Sequence, residues 1–255
     1  MKKLMRSFAT CFSMYSRIPM PRTEWKQENM RYVFCFFPLI GLVVGAVEVG
    51  WFWISKTFIL TSLFYATVAT ALPILLTGGI HLDGYMDSCD ALFSYGDREK
   101  KLAIMKDPHT GAFSVIYCGV YLLLSAGLYA EWYRFGSWQS IMMVGIGYLL
   151  SRTICGLATV WLPCAKNSGL AYLFQSSAER KTAKFALTIW LVGLVALLGW
   201  LSLLTALLAM SFIGLAVVAF VSIIRKQFGG MTGDLAGFLL EICELLFLSA
   251  VIICR

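Results

Sequence analysis

The chain has 255 residues, of which 59% are hydrophobic and only 14% charged, and its mean hydropathy is +0.77. That balance excludes an ordinary soluble domain, where about a quarter of residues carry charge, and the length fits one domain spanning 1–255. The net charge of +7 invites a nucleic-acid partner, but the placement of the charges argues against one.

In chain order, the N-terminal stretch is too short and too broken by Ser and Thr for a signal peptide. Leu4, Phe8, Cys11, Phe12 and Tyr15 share one helical face, which predicts an interfacial amphipathic helix. The breaker Ile18-Pro19-Met20-Pro21 ends it. Seven apolar runs of membrane-spanning length follow: about 32–54, 57–80, 111–130, 139–162, 185–201, 202–224 and 236–254. They are apolar all round, unlike the striped helices of a soluble bundle. Gly41 and Gly45 in the first run have the spacing that lets helices approach closely in lipid. The fold class expected is therefore all-α: a polytopic helical membrane bundle of about seven spans, with the N-terminal interfacial helix and an acidic loop on the cytoplasmic side.

With the N-terminus inside, 17 of the 21 Lys and Arg fall in segments 1–31, 81–110, 163–184 and 225–235. That is the positive-inside bias, so the basic balance reports membrane orientation. The eight cysteines form no metal-type spacing and read as small apolar residues of a reducing compartment.

Chemistry concentrates in three polar islands, all on the inner side. In Gly78 to Asp90 (GGIHLDGYMDSCD), Asp83, Asp87 and Asp90 are spaced i, i+4, i+7, within roughly 60° on one helix face. Three like charges on one stripe call for a cation between them, and carboxylate oxygens suit a hard divalent ion. Asp107, in Met105 to Gly111 (MKDPHTG), is held out of helical geometry by Pro108 and is the expected fourth ligand. The general base is left open among Asp107, His81 and His109, while Arg98 and Lys106 are placed to hold phosphate charge. The second island, 165–170, contains Asn167. The third runs from Arg225 through Gly229, Gly230, Thr232, Gly233 and Asp234, a Gly-rich turn opening a helix, where oxyanions bind. Ionisable residues inside spans are costly, which singles out Glu48, Arg152, Glu241 and Glu244. For Arg152 and Glu241 a substrate contact competes with a buried pair. The simplest enzyme of this design transfers a group from a phosphoanhydride under a divalent ion. A cation transporter is the rival, opposed by the absence of an acidic chain crossing the membrane, and a structural membrane partner would leave the stripe unexplained.

The first and third islands, with Ile104 to Gly111, resemble the cobalamin synthase family, the adenosylcobinamide-GDP ribazoletransferases. The resemblance extends to Ser16 to Pro21 (SRIPMP), Phe37 to Gly41 (FPLIG), Ser151-Arg152, Asn167 to Leu170 (NSGL) and Glu241 to Leu245 (EICEL), in the same order along the whole chain. It implies a Mg2+-dependent membrane enzyme joining adenosylcobinamide-GDP to alpha-ribazole or its 5'-phosphate, with release of GMP. CDP-alcohol phosphotransferases, which also use a helical Asp cluster, are the nearest alternative class, but the residues after Asp83 and Asp87 fit their motif only loosely. A homo-oligomer is compatible with the sequence.

Overall fold

In lipid the backbone must satisfy its own hydrogen bonds, which restricts an apolar chain of this kind to helices. A computed structural model describes residues 2–21, 27–165, 172 and 179–254. Among them lie α1 (Lys2–Tyr15), α2 (Gln27–Met30), α3 (Val33–Thr57), α4 (Ser62–Thr77), α5 (Ile80–Phe93), α6 (Arg98–Ile104), α7 (Ala112–Phe135), α8 (Trp138–Trp161), α9 (Arg180–Leu201), α10 (Leu203–Gln227) and α11 (Gly233–Ile253). These described residues contain no strand, only an isolated bridge between Cys164 and Met231.

Among the described residues six helices (α3, α7, α8, α9, α10 and α11) are long and apolar enough to cross a membrane. Polar caps set several of their ends. Ser137 and Ser140 form a capping box at α8. Ser202 ends α9 and caps α10 by accepting from Thr205 N. That fixes the boundary between the expected runs 185–201 and 202–224, where a side-chain oxygen takes one of the orphan amides of a new helix.

The expected second span, 57–80, differs. Its helix α4 has only 16 residues and stops at Thr77, and α5 leaves at 96° to it. Two successive left-handed glycines, Gly78 (φ +70°) and Gly79 (φ +77°), make this corner, a backbone that other residues resist. Arg17 lies against it: a Cβ on Gly78 would fall 2.4 Å from Arg17 Nε, and Arg17 N donates to Leu76 O at 2.8 Å. Together α4 and α5 form a broken seventh element, with α5 lying outside the straight spans.

α8 is the central helix, buried along most of its length and packed on α3, α9 and α11. At its crossing with α3, a Cβ on Gly41 would sit 2.3 Å from Tyr148 O, and one on Gly45 2.7 Å from Gly145 O. The Gly41/Gly45 pair therefore serves close helix packing, as expected. The expectation for α1 is partly revised. Ser7, Thr10, Cys11 and Phe12 are buried while Leu4 is exposed, and Phe8 and Tyr15 pack on Phe36 and Phe37 of α3. The helix docks on protein, with its buried face rotated from the purely apolar one.

Candidate active site

α5 carries the aspartate stripe because its other face is built for packing. His81, Leu82, Gly84, Tyr85, Ser88, Cys89 and Ala91 are buried, and Tyr85 stacks on Phe238 of α11. That leaves Asp83 exposed and Asp87 and Asp90 half-buried. Two glycines bring α5 and α11 into backbone contact: a Cβ on Gly84 would lie 2.9 Å from Asp234 Cα, and one on Gly237 2.6 Å from His81 O. This approach sets Asp234 beside the stripe.

The electrostatics record the crowding. The Asp87 carboxyl is pushed up to about 6, by burial first and then by Asp83, Asp234 and Asp90. Burial and neighbouring like charges both disfavour the ionised carboxylate. Asp90 in turn lies over Gly111, where an added Cβ would be 2.0 Å from Asp90 Oδ2.

The expected fourth ligand is directed elsewhere. Asp107 Oδ1 accepts from His109 N at 2.9 Å and meets His109 Nδ1 at 2.7 Å, with both side chains largely exposed. The His109 amide, and then its ring, hold the Asp107 carboxyl below its ordinary range. Of the acids outside α5, the one brought to the stripe is Asp234. Among the described residues no three His, Cys, Asp or Glu side chains already close a metal cage. The donor set nevertheless suits Mg2+, which dehydrates reluctantly and binds through one or two carboxylates, with water and substrate phosphate completing its shell.

The Gly-rich turn proves to be packed against protein. Met231 N donates to Pro163 O at 2.7 Å and Ala165 N to Met231 O at 2.9 Å. A Cβ on Gly230 would meet Pro163 O at 2.4 Å, and one on Gly229 (φ +73°) would meet Arg98 Cζ at 2.0 Å. Arg98 Nη2 also donates to Ala165 O at 2.9 Å, so Arg98 clasps the turn to the end of α8. Thr232 caps α11 through Leu235 N at 3.1 Å. These glycines and Thr232 thus have structural work of their own, whereas Gly233 has nothing within 4 Å of an added Cβ. Arg225 and Lys106 are exposed. Asn167 lies outside the described residues. Lys101, a further cation near the stripe that could hold phosphate charge, is instead buried and donates to Ala91 O and Leu92 O, capping the end of α5.

Arg152 and Glu241 belong to a separate buried network. Arg152 pairs with Glu244, and Glu241 accepts from the Tyr121 hydroxyl. They border a cavity of about 30 Å3, room for water and not for a substrate fragment. Arg152 is therefore held in a buried ion pair and Glu241 in a hydrogen bond between helices, in place of the substrate contact expected of them. His81, 5% exposed and with Nε2 lacking a hydrogen-bond partner, lines this cavity and also a second one of about 270 Å3. Tyr15, Phe34, Phe37, Asp83, Gly233 and Asp234 line that second cavity. The three aromatic residues were missed as site residues. Only the position of Tyr15 just before the SRIPMP stretch, and of Phe37 at the head of FPLIG, hinted at them.

Fold and site thus define a polytopic membrane protein with carboxylates gathered at one rim beside a pocket. Residues 7–252 match the family model described as cobalamin-5-phosphate synthase, and the chain belongs to that family. It is 39% identical over 251 residues to an adenosylcobinamide-GDP ribazoletransferase of Lachnoclostridium phytofermentans, covering 98% of this chain and 95% of that protein. Proteins of the same name from Clostridium perfringens and Desulfitobacterium hafniense are each 34% identical, with 96% of this chain covered and 96% and 95% of theirs. No solved structure matches.

Proposed function

We propose that this protein transfers the cobinamide phosphate of adenosylcobinamide-GDP to the hydroxyl of alpha-ribazole or its 5'-phosphate, releasing GMP. The acceptor oxygen bonds to the phosphorus attached to cobinamide, and the bond from that phosphorus to the oxygen of GMP breaks. The observation that carries this reading is the gathering of Asp83, Asp87, Asp90 and Asp234 at one rim, with Asp83 and Asp234 lining a pocket, in a chain of this family.

Asp83 and Asp87 would hold Mg2+, with Asp90 and Asp234 beside them. When bound, Mg2+ supplies neutralisation of the diphosphate and of the departing GMP. The protein's own part is orientation. α5, fixed at one end by the Gly78-Gly79 corner and at the other by Lys101, presents its carboxylates as a rigid row, and rigid presentation of reacting groups is a large share of phosphoryl-transfer catalysis. Arg98 at the start of α6, Lys106 just after α6 and Arg225 in the last turn of α10 fall in segments expected on the inner side and would supply positive charge for phosphate. The Lys and Arg bias supports a cytoplasmic position for this rim in a bacterial inner membrane.

The test is detergent-purified protein given adenosylcobinamide-GDP and alpha-ribazole with and without Mg2+, following GMP and cobamide. Turnover with Mg2+ only, reduced roughly 100-fold or more by Asp83→Asn and by Asp87→Asn, is the expected result. Near-normal GMP release by both variants would remove the metal assignment.

A further inference from the structure

The 270 Å3 cavity beside Asp83 and Asp234 has mainly apolar walls, with four ring side chains among its lining. Tyr15 at the end of α1 stacks on His81 of α5, with ring centroids 5.9 Å apart and planes 15° apart. Phe37 of α3 closes on both, 4.7 Å from Tyr15 and 5.8 Å from His81, and Phe34 stands edge-on to Phe37. The polar groups of α8 that border the cavity are already engaged: Thr159 Oγ1 donates to Cys155 O at 2.8 Å and Cys155 Sγ to Ala236 O at 3.2 Å. The cavity therefore offers a mainly apolar, partly aromatic surface, with His81 Nε2 and the carboxylates of Asp83 and Asp234 among its polar groups.

We propose that this aromatic slot receives the planar base of the acceptor riboside, an inference that rests on the transferase reading above. Three observations select that occupant. At about 270 Å3 the slot is near the lower limit of small-molecule sites, about 300 Å3, which suits a two-ring heterocycle and excludes a corrin macrocycle. Its walls favour a base with an apolar edge, because a guanine edge would leave several donors and acceptors unpaired on burial. Its rim bears Asp83 and Asp234, so a base seated inside places the riboside hydroxyl, one sugar away, at the carboxylates where the phosphate must lie. α1 is then a wall of the acceptor site and not only an interfacial anchor.

Gly233 is the direct probe, since it lines the slot and an added Cβ there meets no protein atom within 4 Å. In Gly233→Val, the KM for alpha-ribazole should rise tenfold or more while the KM for adenosylcobinamide-GDP stays within twofold. Met14→Trp, which narrows the slot from α1, should do the same, and melting in detergent reports whether each variant is folded. Unchanged acceptor KM in both folded variants, or a rise confined to the GDP substrate, overturns the slot. Equilibrium dialysis of alpha-ribazole against wild type and Gly233→Val separates this from failure of the transferase reading. If wild type releases no GMP yet binds alpha-ribazole and Gly233→Val does not, the reaction falls and the slot stands. Equal binding by the two proteins, or displacement of alpha-ribazole by guanosine as readily as by itself, overturns the slot. So does the absence of alpha-ribazole binding to wild type that has been stripped of lipid.

Discussion

Gly84→Ala is the sharpest test of how the site is held together. The new methyl would start 2.9 Å from Asp234 Cα and 3.0 Å from Asp234 O. Both are backbone atoms, so no side chain can swing aside. Reaching ordinary contact near 3.4 Å requires the start of α11 to move away from α5 by about 0.5 Å, and overpacking of this kind costs about 1–3 kcal/mol. Asp234 moves with its backbone, away from Asp83 and Asp87. Since a displacement of about 1 Å at a reacting constellation can cost about 100-fold in rate, half of that predicts a loss of about tenfold in kcat. The assay is GMP release at saturating substrates, paired with thermal melting in detergent. Gly193→Ala on α9 is the control, because nothing lies within 4 Å of its added Cβ and alanine is the better helix former by about 1 kcal/mol. Gly84→Ala with wild-type turnover and melting would refute the claim that glycine contact between α5 and α11 positions the fourth carboxylate.

Other outcomes follow from the same geometry. Asp107→Asn should reduce turnover less than about threefold, against the large loss in Asp87→Asn, because the Asp107 carboxylate is engaged by His109; parallel kinetics of the two variants decide it. Glu48→Met should raise the melting temperature by a few degrees, at about 2–4 °C per kcal/mol for a chain of this size. Both Glu48 oxygens are buried without a hydrogen-bond partner, and removing an unpaired buried acid relieves its desolvation; a lower melting temperature would contradict this. Arg31, and then Thr182, hold the Glu179 carboxyl below its ordinary range, so the small stability this group contributes is present above pH 4.5 and lost as pH falls through the lowered value. Melting curves of wild type and Glu179→Gln should therefore converge in acid and separate slightly toward neutral pH.

The spans were legible because apolar runs of bilayer length admit one backbone solution, and the aspartate stripe because helical spacing puts i, i+4 and i+7 on one face. Neither rule reports on contacts between distant segments. Asp234 lies 151 positions after Asp83, and only the backbone approach at Gly84 and Gly237 joins them. The fourth aspartate was therefore sought in the nearer Asp107, whose partner is set by a two-residue turn to His109. The Gly-rich turn misled for a related reason. Glycine that cradles a ligand and glycine that admits a neighbouring backbone look alike in sequence. Here Gly229 and Gly230 admit Arg98 and residues 163–165, leaving Gly233 as the open position. The corner after Thr77 was hidden by hydropathy, which continues smoothly across a change of direction.

That corner explains why so many acids can lie next to apolar spans. Had α4 continued straight through Gly78 and Gly79, Asp83 would stand about 9 Å beyond Thr77 along the same axis, at 1.5 Å per residue, and each turn of α5 would carry its charges farther from the other helices. Turning by 96° lays α5 against its neighbours instead, so that its buried face packs on α7 and α11 while its acidic face stays open. The same turn brings His81 against Tyr15 and Phe37, joining the aromatic pocket to the carboxylates. Arg17 against Gly78 ties α1 to this corner. An Arg17→Ala substitution should therefore disturb acceptor binding through α1 and carboxylate placement through α5 together, a pairing of effects that two independent subsites would not show.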